Sequence, residues 1–128
     1  METAILGKIL DTTEITNDIG TRIEPLQLPD HPTLPALVYQ RIDRTEDHGH
    51  DGPTGAPGAR LQIDIYANTY AVIKRIATNL RQTLNGFAGT LQGIVIEHIT
   101  LVNEIEQPEA APANYRMTQD YIINWQET

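Results

Sequence analysis

Apolar and polar positions alternate with two different periods in the middle of the chain, and the change of period falls within residues 59–87. Over 60–66, Leu61, Ile63 and Ile65 alternate with Arg60, Gln62 and Asp64, which predicts a strand with one buried face. From Tyr70 onward the apolar positions are Tyr70, Ile73, Ile76, Ala77, Leu80 and Leu84, spaced three and four apart. That spacing is one stripe of an amphipathic helix, about 24 Å long at ~1.5 Å per residue. Asn68 and Thr69 can accept hydrogen bonds from its first free N–H groups, and Gly86 suits the left-handed position past its end.

The flanking segments carry weaker patterns. Residues 3–10 predict a short helix with Ala4, Ile5, Leu6 and Ile9 inward, and 14–19 a further turn that stops at Gly20. Residues 23–28 alternate weakly between Pro25 and Pro29 and read as an edge strand or an extended arm. Residues 36–44 form a second strand whose two faces, Leu37, Tyr39, Arg41 and Val38, Gln40, Ile42, the pattern does not rank. Residues 45–58 hold four glycines, two prolines and no large apolar residue, so they read as a flexible loop in a long hairpin connection.

After the helix, 88–93 is a turn and 94–106 a strand. Its apolar phase slips near Glu97 and His98, which predicts a bulge. Residues 107–114 read as a second loop, and 115–125 as a closing strand with Tyr115, Met117, Tyr121, Ile123 and Trp125 on one face. The sum is a single α+β domain over 1–128: a mostly antiparallel sheet of about four strands, one main helix packed on it, and a short N-terminal helix.

Charge changes this picture in one place. The net charge is −8, which argues against a binder of nucleic-acid backbone. Residues 59–86 nevertheless carry a net +3, while 1–30 carry −4 and 87–128 carry −5. Lys74, Arg75 and Arg81 make the main helix the one basic element. It is either a solvated face or a face that meets an acidic surface of a partner or a second copy. No stretch reads as a secretory signal or a bilayer span, so a soluble protein made in a cytoplasm is expected.

Candidate chemistry is sparse. Cysteine and serine are both absent, which removes disulfides, thiolate metal sites and the commonest nucleophiles. Asp47, His48, His50 and Asp51 could ligate a divalent metal. They lie in a glycine-rich loop without rigid support, however, and read as hydrated polar residues. Glu104 and Glu106 share a strand face, but no apolar pocket marks them as a catalytic pair. His31 lies in a proline turn and His98 in the bulged strand. No cofactor, metal site or active site is expected.

The order of these signals is more specific than any one of them. A short N-terminal helix leads to Gly20-Thr-Arg-Ile23, then a proline-punctuated arm, then Leu37-Val-Tyr-Gln-Arg-Ile42. A glycine-rich loop with Asp51-Gly-Pro53 precedes Leu61-Gln-Ile-Asp-Ile-Tyr66 and the helix, which Asn85-Gly-Phe87 ends. Tyr115-Arg-Met-Thr-Gln-Asp-Tyr-Ile122 follows as the last strand. Over nearly the whole chain this order resembles the tail completion (head–tail joining) proteins of long-tailed DNA phages and prophages. The resemblance implies a structural virion protein without catalysis, made in the host bacterial cytoplasm, that sits as a ring, typically hexameric, at the head–tail interface.

It also implies partners: head–tail connector proteins on one side, tail terminator or tail tube proteins on the other, with no sequence-specific nucleic acid binding and no membrane. A tail terminator capping the tail tube is the alternative within this class. A small metal-dependent hydrolase using Asp47, His48, His50 and Asp51 is the alternative outside it. On the structural reading those four residues, with Lys74, Arg75 and Arg81, are the expected assembly contacts.

Overall fold

The strand and helix at the centre of the sequence form as their periods require. In the computed structural model, which describes residues 1–45, 58–110 and 113–126, β3 (Gly58–Ala67) buries Ala59, Leu61, Ile63, Ile65 and Ala67 on one face. α3 (Tyr70–Leu84) lays Ile73, Ile76, Ala77, Leu80 and Leu84 on that face. The Thr69 hydroxyl caps the helix, accepting from the Val72 N–H at 3.3 Å. At the far end Gly86 takes φ 83°, a conformation costly for a residue with Cβ, and its N–H donates to the Ile99 carbonyl at 2.7 Å.

Two shorter helices lie beside α3. α1 (Glu2–Leu10) buries Ala4, Ile5 and Ile9, and α2 (Thr13–Ile19) buries Ile15 and Ile19. β1 (Ile23–Pro25) pairs parallel with the start of β2 (Ala36–Thr45), and β2 pairs antiparallel with β3. Beyond α3, β4 (Gly89–Leu91) turns into β5 (Ile94–Ala110), which pairs antiparallel with β6 (Ala113–Gln126). β6 then inserts between β5 and β3, giving the order β1-β2-β3-β6-β5-β4.

This overturns the expectation of a mostly antiparallel four-stranded sheet under one main helix. Among the described residues the sheet has six strands, is mixed and curls into a half-barrel, and three helices accompany it. β1 is the edge strand anticipated within 23–28, shortened to three residues, while β4, also three residues, is too short to display an alternation. β1 is parallel because residues 26–35, with three prolines, carry the chain back before β2 begins. α2 needs only Ile15 and Ile19, four apart, to bury one face of its two turns.

A second difference concerns 107–114. β5 continues through Gln107 and Pro108 to Ala110, and β6 starts at Ala113, so a long hairpin replaces most of the expected loop. Pro108 lies inside the continued β5 and pairs level with Tyr115. It is tolerated where the strand faces away from its one neighbour.

The inward set of β2 is Leu37, Tyr39 and Arg41, opposite Ile65, Ile63 and Leu61. The bulge anticipated near Glu97 is present as a register shift between Ile96 and His98. Two further shifts, between Leu101 and Asn103 and between Arg41 and Asp43, have no counterpart in the sequence pattern.

Candidate assembly surface

The three basic residues of α3 point to solvent, as their place off the apolar stripe requires, but each is already paired within the chain. Lys74 Nζ lies 3.0 Å from Glu106 Oε1, and Arg81 Nη1 lies 2.6 Å from Glu104 Oε2, both acids on β5. Arg75 forms a two-pronged pair with Asp18 of α2 at 2.5 and 3.0 Å. Hydrogen bonding to Glu106 raises the Lys74 ammonium above its ordinary value, and Asp18 does the same for Arg75. Glu106 is held below the ordinary carboxylate value by Lys74 first and then by the Tyr70 hydroxyl, 3.0 Å from its Oε1. The basic helix of the sequence is thus, in the fold, a row of ion pairs tying α3 to α2 and β5.

Beneath that row lies a buried polar link. Gln119 of β6 is fully buried, and its Nε2 donates to the Ala77 carbonyl at 3.0 Å and to Glu104 Oε2 at 2.6 Å. The Tyr121 hydroxyl donates to Gln119 Oε1 at 2.8 Å, and burial pushes this phenol well above its ordinary value. One side chain therefore joins helix, sheet and the Arg81–Glu104 pair.

The opposite face of the sheet is polar and also tightly bonded. Asp64 of β3 accepts from the Thr118 hydroxyl at 2.5 Å and pairs with Arg116 at 3.1 Å, while Arg60 pairs with Asp120 at 3.2 Å. Asp64 and Asp120 are each only 7% exposed, and among the described residues Asp120 Oδ1 and Arg116 Nε have no hydrogen-bond partner. Between α3 and the hairpin, Tyr70, Ile73, Glu106, Tyr115, Arg116 and Met117 line an open groove of about 270 Å³, with the Tyr70 and Tyr115 rings edge to face at 5.7 Å.

Of the residues anticipated as contacts, Lys74 and Arg81 lie on the β5 flank of α3 and Arg75 on its α2 flank. Asp47, His48, His50 and Asp51 fall outside the described residues. His31 and His98 are exposed. Among the described residues no group of three or more His, Asp or Glu side chains could hold a metal ion. The Gln119 link and the Asp64 and Asp120 networks escaped the sequence reading. Gln119 had one visible signal, as the polar member of the inward set Tyr115, Met117, Tyr121, Ile123 and Trp125.

The family model described as Tail completion protein gp17 matches residues 3–124. Among curated proteins none matches. Among solved structures, the chain is similar in fold to a chain from the virion of a native gene transfer agent (GTA) particle. The TM-score is 0.74 at 11% sequence identity, over 99% of this chain and 95% of that chain. Among the described residues no helix is long and apolar enough to cross a membrane.

Proposed function

This chain belongs to the Tail completion protein gp17 family, and from that premise we propose that it joins a finished phage tail to a DNA-filled head as a ring of copies at the interface. Its coarser role, a structural virion protein of tail completion, comes with the family. The finer role is our reading, carried by the family match over 3–124. The ring would meet connector proteins on the head side and terminator or tube proteins on the tail side. It would act by binding rather than catalysis.

The architecture suits such a joint. Helix, sheet and ion pairs lock together through Gln119, Glu104 and Arg81, so load passes through a framework with few soft contacts. For the contacts themselves we favour residues 45–58 together with the α3 face. The loop has two histidines and three acidic residues and no large apolar side chain, which suits polar contacts with a partner. Lys74 and Arg75 are 45% and 53% exposed despite their pairs, so each can recruit a further acid without burial.

Disrupting the gene tests the reading. Filled heads and separate tails of normal length should accumulate, and adding the purified protein should join them. Tails of uncontrolled length would assign the chain to tail termination instead. Joined particles at normal yield without the protein would reject both.

A further inference from the structure

The half-barrel has two unused strand edges, and they complement one another. On the outer side of β2, β1 reaches only as far as Tyr39, where the Leu26 N–H donates to the Tyr39 carbonyl at 2.9 Å. Among the described residues nothing bonds that side over 40–45. On the outer side of β5, β4 covers Ile94 to Ile96, Gly86 bonds the Ile99 carbonyl, and Asn85 Oδ1 accepts from the Leu101 N–H at 2.8 Å. Among the described residues nothing bonds the β5 backbone on that side beyond Leu101.

We propose that copies of this chain join edge to edge, β5 over 102–107 pairing antiparallel with β2 over 40–45 of the next copy. The proposal rests on the ring reading above and supplies its junction. Within one sheet β2 and β5 run in opposite directions, so the junction is antiparallel without turning either copy over. A contact between two different edges is head-to-tail, the kind that closes into a ring when the rotation permits.

Backbone phase and charge select the same register. Ile99 and Leu101 turn their backbone groups outward, and the one-residue bulge at Val102 shifts the alternation so that Glu104 and Glu106 face out next. Pro108 falls in that phase, where its missing N–H costs no bond to β6. On β2, Leu37 and Tyr39 face out toward β1, so Arg41 follows, and after the bulge at Ile42 so does Arg44. Setting Arg41 against Glu106 brings Arg44 level with Glu104. Arg41 already lies 3.2 Å from Glu2, and Glu106 and Glu104 are held by Lys74 and Arg81, so the junction would extend existing pairs into alternating charge networks. Ile42 then comes level with Ile105.

These two isoleucines are each 45% exposed and Val102 is 44% exposed, so among the described residues three of the six exposed large apolar side chains lie on the two edges. β1 ends the junction at one end, and Asn85 with Gly86 ends it at the other.

The register also has a geometric consequence. Arg41 is level with Leu101 across its own sheet, so each copy slides by four regular residues relative to the last. That is about 13 Å at ~3.3 Å per residue, over about 19 Å for four strands ~4.8 Å apart. The resulting strand tilt of roughly 35° is within reach of the tilts with which closed barrels are built.

The chain has no cysteine, so a disulfide can read the junction. Within one copy β2 and β5 are separated by β3 and β6, about 14 Å at ~4.8 Å per step, beyond disulfide reach. Particles assembled with Ile42→Cys/Ile105→Cys protein should, on mild oxidation, give a ladder of cross-linked copies on a non-reducing gel. Adding Arg44→Pro, which removes an N–H that β3 does not use, should cut the ladder at least tenfold while circular dichroism is unchanged. Mixing the two single variants, one carrying a mass tag, should give only unlike dimers. Joined particles of normal yield that contain the double variant but show no ladder would overturn the junction and leave the joining role standing, as would like dimers in the mixture. Failure of the unmodified protein to join heads to tails would instead strike the functional reading.

Discussion

Gln119 is the residue on which most of the polar interior depends. Its replacement by Leu removes the partner of the Tyr121 hydroxyl in a site where both side chains are buried. An orphaned buried hydroxyl costs about 1–3 kcal/mol. Urea titration of Gln119→Leu should show a loss in that range, and adding Tyr121→Phe should recover part of it, because the hydroxyl is then gone as well. Glu106 gives a second test at this scale. Its carboxyl lies below the ordinary value because Lys74 and Tyr70 bond its ionised form. The pair therefore stabilises the fold above pH ~4.5 and is lost as pH falls through the lower folded value. A carbon-detected NMR titration should place Glu106 below the ordinary glutamate value, and Lys74→Met should return it toward that value.

At the scale of elements, β3 and α3 were legible because each presents a full run of its own period. Their contact sets the core: Ile63→Ala should cost about 2–5 kcal/mol in a denaturant titration. Gln62→Ala, on the half-buried polar face where its Nε2 donates to Asp64 Oδ2 at 3.4 Å, should cost less, about 1 kcal/mol. β1 was legible as an edge strand within 23–28, though only Ile23–Pro25 pairs; β4 was not, because three residues cannot show an alternation. Residues 107–114 misled through Pro108, which breaks most strands but sits at the unpaired side of this one. The basic helix was read correctly as a charge pattern. Its partners Asp18, Glu104 and Glu106 lie 57, 23 and 32 residues away in sequence, and only the fold brings them to it. Of the other anticipated contacts, Asp47, His48, His50 and Asp51 stay a sequence expectation.

For the whole molecule, the acidic total and the paired helix face describe a framework whose cations are largely paired within it and whose acids are in excess, with two strand edges left unpaired among the described residues. On the proposed reading, such a framework is held between larger bodies. The family to which it belongs puts those bodies in the virion. The most direct measurement is the position of this chain in joined particles, by electron cryomicroscopy of particles carrying a small tag at its C-terminus. The account predicts tag density in a closed ring between the filled head and the tail, present in joined particles and missing from separated heads and tails that lack the protein. Tag density at the distal tail tip, along the tube or inside the head would contradict it.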